Sequence, residues 1–123
     1  MGLTLYRVRS FLAEVKDLGY DICIVDCAAG LFGVTADVLS ASDGVIVPQQ
    51  AEPLGVRSVP KMLEALTRMR VVNSQLHVLG VVLTMVHQNL AESLESAEAL
   101  RSLLPPEMVM KTVVPRDDLF VRA

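Results

Sequence analysis

The sequence predicts an α/β fold in which a mainly parallel sheet lies between two layers of helices, giving three layers. Short runs of Val, Ile and Leu alternate with stretches of helical periodicity, which is the pattern of strand–helix–strand crossovers. Hydrophobic residues make up 52% of the chain but aromatic residues only 4%, as is typical of parallel strands buried on both faces. At 123 residues, we expect residues 1–123 to form a single domain.

The first elements are a helix and a short strand. Residues 4–18 have helical spacing, and Gly19 provides a stop. Tyr20 to Val25 then reads as a buried strand, and the turn from Gly30 to Gly33 leads into a short helix with Thr35 as a candidate N-cap. The apolar positions of the first helix are Leu5, Val8, Leu12 and Val15.

The middle of the chain predicts a strand, a polar loop and a second long helix. The strand covers Val45 to Val47, and the loop 49–52 follows it between two prolines. Pro60 is tolerated only in the first turn of a helix, so we expect the helix to begin near Ser58.

The last elements are a strand, a helix and a final strand. The strands are predicted at Leu76 to Met85 and at Met108 to Val114. Between them, Asn89 and Glu92 fit a capping box, and Pro105 ends the helix. The apolar stripe of this helix is predicted to be Leu90, Leu94, Ala97, Leu100 and Leu104.

Composition argues against several functional classes. The formal net charge is −3 without a basic tail, so DNA or RNA binding by this chain is not supported. The longest apolar run, Val78 to Val86, is far shorter than the roughly 20 residues of a membrane span. No leader sequence is recognisable near Met1, and two cysteines are too few for a zinc site. We therefore expect a cytoplasmic protein with reduced thiols.

The strongest candidate for chemistry is Asp26, which follows an apolar strand and precedes small residues. In open α/β sheets, ligands bind outside the carboxyl ends of the strands. A carboxylate at that position can hold hydrated Mg²⁺ beside a phosphate. The alternative is that Asp26 only caps the next helix.

Four blocks of sequence resemble the ParA/MinD family of partitioning ATPases. The segment from Asp26 to Leu31 resembles its second acidic (Walker B) motif and switch II turn. Ala41 to Gln50 resembles its strand ending in Pro and a polar pair, and Gly80 to Met85 resembles its following strand. Thr112 to Arg116 resembles its Ile-Pro-Arg segment, and all four blocks occur in the family's order.

The resemblance implies a partial P-loop NTPase fold of the SIMIBI type. Family members open with a Gly-rich loop bearing two lysines that hold the ATP phosphates, and these 123 residues contain no such loop. The chain is therefore interpreted as the C-terminal portion of such an ATPase, inactive in hydrolysis by itself. ATP and Mg²⁺ are the cofactors implied for the complete protein, and this chain alone is expected to bind neither.

The resemblance also implies roles for individual residues. Asp26 would bind Mg²⁺ through water, and the turn from Cys27 to Gly30 would sense the γ-phosphate. Thr84 would lie near adenine, while Pro115 and Arg116 would line the base and ribose. Ordinary strand-end roles remain open for Thr84, Pro115 and Arg116. Ala28 and Ala29 depart from the family, which usually has proline in at least one of these positions, so we expect a less rigid turn.

Three functional hypotheses remain. The first is a ParA/MinD-like ATPase that partitions or positions DNA or a cellular structure, with ATP bound between two subunits and a partitioning protein as partner. The second is a stand-alone ParA-like interaction module that has lost nucleotide binding. The third is a receiver-like domain that uses Asp26, Thr84 and Lys111.

The resemblance predicts an open edge as well. In the family, the P-loop strand lies beside the strand that carries the acidic motif, and that strand is absent from these residues. We expect the isolated chain to pair its strands differently or to self-associate beside Ile22 to Val25, since exposed apolar edges invite pairing. A homo-oligomer is therefore predicted.

Overall fold

The computed structural model describes residues 2–30 and 33–119, and the α/β prediction is confirmed. Three parallel strands form one sheet in the order β1-β2-β3, with helices flanking them. The elements in chain order are α1 (Leu3–Asp17), α2 (Val34–Ser40), β1 (Gly44–Gln50), α3 (Pro53–Val72), β2 (His77–Val86), α4 (Ala91–Leu103), a 3-10 turn (Pro106–Met108) and β3 (Val109–Pro115).

The chain divides into two compact units. The first contains Met1–Gly44 and Ala65–His77, and the second contains Val45–Glu64 and Val78–Ala123. The single domain over residues 1–123 stays a prediction.

The sheet of the second unit carries the larger hydrophobic cluster. β2 pairs in parallel with β3, with Val81 opposite Val109 and Leu83 opposite Val113. Val81 and Leu83 are completely buried, as is Leu100 from α4. Aliphatic strand residues thus gain both ladder hydrogen bonds and an apolar environment. The buried members of this cluster are Ala51, Val59, Val81, Leu83, Val86, Leu100 and Leu104.

The predicted start of α3 near Ser58 is wrong, because the helix begins at Pro53 and Pro60 lies inside it. Pro53 suits the first helical position, where the missing N–H has no helical partner to lose. Pro60 removes one interior hydrogen bond, and its own ring is exposed to solvent. Val59 and Leu66 share one face of the helix and are buried, which favours the continuous helix.

The capping box predicted for α4 is wrong, and its apolar stripe is only partly correct. The helix begins at Ala91, and its N-cap residue, Leu90, makes no side-chain capping bond. Leu90 and Leu94 are exposed, whereas Ser93 and Ser96 are buried beside Leu100. The helix is therefore rotated from the predicted orientation, with two hydroxyl groups turned inward.

In the first unit, α1 contacts α2 and shows the predicted amphipathic pattern. Its four predicted apolar positions are half-buried, and α2 contributes the buried residues Val38 and Leu39. Asn73, which follows α3, links that end of the helix to the end of α2. Its side-chain amide donates to the carbonyl oxygens of Leu39, at 3.0 Å, and Ser42, at 2.9 Å. One amide thus satisfies two carbonyl groups where α2 ends.

The buried strand predicted at Tyr20 to Val25 is wrong, both as a strand and as a buried segment. Residues 22–28 have no helix or strand assignment and are exposed, so the described part of the chain has three strands instead of four. A strand requires a hydrogen-bonded neighbour as well as a suitable sequence, since composition alone does not supply ladder partners. Within residues 2–30 and 33–119, no strand pairs with this segment.

Candidate functional site

Asp26 lies at the end of this segment and is exposed. Cys23 and Cys27 beside it are free and exposed, and the Cys27 thiol lies 3.7 Å from the Val25 carbonyl oxygen. The carboxylate of Asp26 is therefore accessible to a ligand from solvent. The predicted role in Mg²⁺ binding stays a prediction.

The turn after Asp26 depends on glycine and on one hydroxyl group. Gly30 has φ of 92° and Gly33 has φ of 57°, a region that glycine enters without steric cost. The Thr35 hydroxyl donates to the Ala28 carbonyl oxygen at 3.3 Å, so the prediction that Thr35 caps α2 is wrong. Gly33 is the N-cap, and Leu31 of the acidic motif lies outside the described residues. The Thr35 bond ties the turn to α2.

Thr84, Pro115 and Arg116 lie together in the second unit, where β2 and β3 end. The Ala51 amide donates to the Thr84 carbonyl oxygen at 3.0 Å. Pro115 is opposite Val86, and the Arg116 amide donates to the Val86 carbonyl oxygen at 3.0 Å. Asp26, Cys27 and Gly30 belong to the first unit, so the six candidate residues fall into two groups.

The backbone where β2 ends is irregular. Met85 has φ of 55°, and the β2–β3 register shifts between Leu83 and Val86. A positive φ is uncommon and energetically costly for a non-glycine residue, and such residues are frequent at functional sites. A positive φ at Met85 could not be expected from the sequence, because methionine has no preference for this conformation.

Ser93 is the principal residue that the sequence did not reveal. Its hydroxyl accepts a hydrogen bond from the His87 amide at 2.8 Å and donates to the Ala51 carbonyl oxygen at 3.4 Å. One buried side chain thereby joins the residues that follow β1 and β2. The Nδ1 atom of His87 is buried and has no hydrogen-bond partner among the described residues. Serine inside a helix is usually exposed, so its spacing carried no signal.

A second polar cluster connects β1 to the start of α3. The Gln49 side-chain amide donates to the Gly55 carbonyl oxygen at 3.3 Å and to the Ser58 hydroxyl at 3.4 Å. The Ser58 hydroxyl also donates to the Gly55 carbonyl oxygen at 2.8 Å. Gly55 is required by space, because a Cβ atom there would overlap the Gln50 carbonyl oxygen.

The metal-binding capacity of the described residues is limited. Among them, no group of three or more His, Cys, Asp or Glu side chains is placed to hold a metal ion. Mg²⁺ commonly uses one or two carboxylates, several waters and substrate phosphates, so a single accessible carboxylate is compatible with that ion. Asp26 fits this limited role better than it fits a metal site built from protein ligands alone.

Comparison with known proteins identifies the family. Residues 3–78 match a family model described as an AAA domain. The chromosome-partitioning ATPase Soj of Thermus thermophilus is 33% identical over 104 residues, which are 84% of this chain and 41% of that protein. The chain belongs to the ParA/MinD family. ParA of Caulobacter vibrioides is 30% identical over 114 residues, covering 91% of this chain and 42% of that protein. The chain thus spans about two fifths of the length of these curated relatives.

Solved structures agree with this membership. Cobyrinic acid a,c-diamide synthase from Mycobacterium smegmatis, bound to ADP and magnesium, is 28% identical with a TM-score of 0.77 and covers 95% of this chain and 47% of its own. Apo McdA from Cyanthece has a TM-score of 0.80 at 17% identity, and the match covers 98% of this chain and 49% of that one. The latter likeness concerns the fold alone. No described helix of this ParA/MinD-family chain is long and apolar enough to cross a membrane.

Proposed function

We propose that this chain is the C-terminal portion of a ParA/MinD-like ATPase that partitions chromosomes or plasmids or positions a cellular structure. The observation that carries the proposal is similarity to Soj and ParA over most of the chain, at 30–33% identity. By itself the chain does not hydrolyse ATP, because its 123 residues contain no Gly-rich loop with phosphate-binding lysines. The complete protein is a cytoplasmic dimer that acts with a partitioning protein.

In this proposal, Asp26 is the carboxylate that holds Mg²⁺ through water. Its exposure after an extended segment supports that role, as does the glycine-dependent turn that follows. When bound, Mg²⁺ would neutralise phosphate charge, and the backbone from Cys27 to Gly30 would contact the terminal phosphate. Thr84, Pro115 and Arg116 would contact the base and ribose, and the position of all three at strand ends supports this.

The test is calorimetry with Mg-ATP on the polypeptide read from the natural gene, including any residues encoded before position 1. We expect binding, and we expect Asp26→Asn to weaken Mg²⁺-dependent affinity by about 10- to 100-fold, the range seen when hydrogen-bonding partners of metal ligands are removed. Asp21→Asn is the matched control, because Asp21 is an exposed carboxylate before the same segment. Equal effects of the two substitutions would contradict the assignment of Asp26.

A stand-alone interaction module is the second candidate function. The turn sequence favours it, because Ala28 and Ala29 replace residues that are usually proline in the family. Such a module would keep the fold as a docking surface and would not bind nucleotide. The same calorimetry separates the two, since a natural gene product that gives no heat with Mg-ATP but still binds a protein partner supports the module.

A further inference from the structure

The end of β2 holds a strained residue between two hydrogen-bonded neighbours. The strained residue is Met85, whose φ is 55° and whose side chain is 41% exposed. Before it, the Thr84 carbonyl oxygen accepts a hydrogen bond from the Ala51 amide at 3.0 Å. After it, the Val86 carbonyl oxygen accepts one from the Arg116 amide at 3.0 Å. A non-glycine residue keeps such a conformation only where its surroundings hold it, so these bonds determine the course of the backbone.

Ser93 of α4 ties this segment from its buried side. The residue is 5% exposed, and its hydroxyl accepts from the His87 amide at 2.8 Å and donates to the Ala51 carbonyl oxygen at 3.4 Å. Ala51 in turn holds Thr84 through its own amide. Ser93 therefore acts on both sides of Met85, on His87 directly and on Thr84 through Ala51.

The bond between this segment and α4 is made by the backbone of His87. The Nδ1 atom of the His87 ring is buried and has no hydrogen-bond partner among the described residues. The backbone amide of the same residue is the group that meets the Ser93 hydroxyl. The tie thus depends on the side chain at position 93, and the Nδ1 atom at position 87 does not contribute to it.

The same strand ends carry the residues that the proposed function assigns to the base and ribose. These residues are Thr84, Pro115 and Arg116. Pro115 and Arg116 are exposed, and Pro115 lies opposite Val86. A shift of the backbone from Thr84 to Val86 would displace this group, because Thr84 is part of it and the Arg116 amide is bonded to it.

We propose that Ser93 is a positioning residue for the nucleotide base. Its hydroxyl keeps Met85 in the positive-φ conformation and thereby places Thr84 and Arg116 where the base binds. The free energy of its two hydrogen bonds is comparable to the strain of one such residue, so their loss lets Met85 relax. The inference rests on the proposed function, and it goes further in assigning base affinity to a buried side chain that does not touch the nucleotide.

The experiment is calorimetry on the natural gene product with two ligands, Mg-ATP and Mg-tripolyphosphate, which lacks the base and ribose. We expect Ser93→Ala to weaken Mg-ATP binding by about five- to tenfold, the equivalent of one lost hydrogen bond. Tripolyphosphate affinity should stay within about twofold, because the proposed phosphate contacts lie elsewhere, at Asp26 and in the turn from Cys27 to Gly30.

Two further serine variants frame this result. Ser93→Cys keeps a side chain of similar size but offers only a weak donor and acceptor, so its Mg-ATP affinity should lie between those of the parent and Ser93→Ala. Ser102→Ala is the matched control on α4, because Ser102 is exposed and its hydroxyl donates to the Glu98 carbonyl oxygen within the helix. It should change neither affinity.

The route through Met85 has a test of its own. Glycine adopts a positive φ without steric cost, so adding Met85→Gly to Ser93→Ala should restore most of the lost Mg-ATP affinity. A purely structural role of Ser93 would give no such recovery, since Met85→Gly supplies no new contact.

Three outcomes would overturn the inference. These are unchanged Mg-ATP affinity in Ser93→Ala, equal weakening of both ligands, and no recovery on adding Met85→Gly. In all three, a parent that binds Mg-ATP and loses affinity on Asp26→Asn would leave the proposed function standing. Absence of Mg-ATP binding by the parent would overturn both.

Discussion

Two aliphatic segments of this molecule have similar sequences and opposite environments. Ile22, Ile24 and Val25 lie in an extended segment exposed to solvent, whereas Val81 and Leu83 lie in β2 and are completely buried. Each segment is rich in residues that favour strands. The difference lies in the neighbours, since β2 is bordered by β1 and β3, whereas residues 22–25 pair with no strand in the described part of the chain. Composition selects an extended backbone, and long-range pairing turns it into a strand.

The two segments also differ in what they contribute to the molecule. β2 supports the hydrophobic cluster of its unit, and residues 22–25 lead to the accessible carboxylate of Asp26. Mutations in β2 should therefore reduce the stability of this chain, while mutations in residues 22–26 should alter ligand or partner binding. Substitutions in β2, at the start of α3 and in α4 can show which contacts stabilise the second unit.

Leu83→Ala should have the largest effect. Leu83 is fully buried, so truncation removes apolar contacts and leaves a cavity that costs about 3 kcal/mol of unfolding free energy. Leu79→Ala, in the same strand at a side chain that is 59% exposed, should cost less than about 1 kcal/mol. Urea titration followed by circular dichroism measures both. Equal losses would show that burial does not decide how much a side chain of β2 contributes to stability.

Gly55→Ala should have the next largest effect, with a sign opposite to that expected for an exposed helix. Alanine normally stabilises a helix by about 1 kcal/mol relative to glycine. Here the new Cβ atom would overlap the Gln50 carbonyl oxygen and lie 2.9 Å from the Gln49 amide nitrogen, so we expect a loss of about 2 kcal/mol.

Gly2→Ala is the control for this substitution, because no atom lies within 4 Å of a Cβ placed there. Because Gly2 is the N-cap of α1 and alanine caps a helix less well than glycine, we expect a loss of only about 0.5 to 1 kcal/mol, smaller than the loss for Gly55→Ala. Stabilisation by Gly55→Ala in the same urea titration would mean that the end of β1 and the start of α3 are not closely packed.

Local features of the fold could be predicted from the sequence, and features that depend on distant partners could not. The helical spacing of Leu5 and Val8 predicted the half-buried face of α1, and the apolar run near Leu83 predicted β2. Proline statistics misplaced the start of α3, because packing of Val59 outweighs the hydrogen bond lost at Pro60. The strand at residues 22–25 was predicted wrongly because its propensity is local and its pairing is not.

The candidate site shows the same division. Asp26 could be singled out because an acid after an apolar run has a local signature, and its exposure is consistent with access to a ligand. Thr84 and Arg116 came from resemblance, and the structure brings their backbone groups to the same end of the sheet. Ser93 could not be found, since its acceptor Ala51 lies 42 residues away in sequence. A buried hydroxyl group is identified by its partners, which periodicity does not encode.

Ser93→Ala should have the smallest of these effects and tests whether the strand ends are joined from α4. Removal of the hydroxyl group leaves the His87 amide without the Ser93 acceptor and the Ala51 carbonyl without the Ser93 donor. We expect the unfolding free energy to fall by about 1.5 kcal/mol. Ser102→Ala is the matched control on the same helix, because Ser102 is exposed and its hydroxyl donates to the Glu98 carbonyl oxygen within that helix. Alanine there should leave stability unchanged or raise it by about 0.5 kcal/mol. Faster hydrogen exchange at the His87 amide in Ser93→Ala alone would link the loss to the end of β2, whereas equal stability of both serine variants would show that burial without this bond suffices.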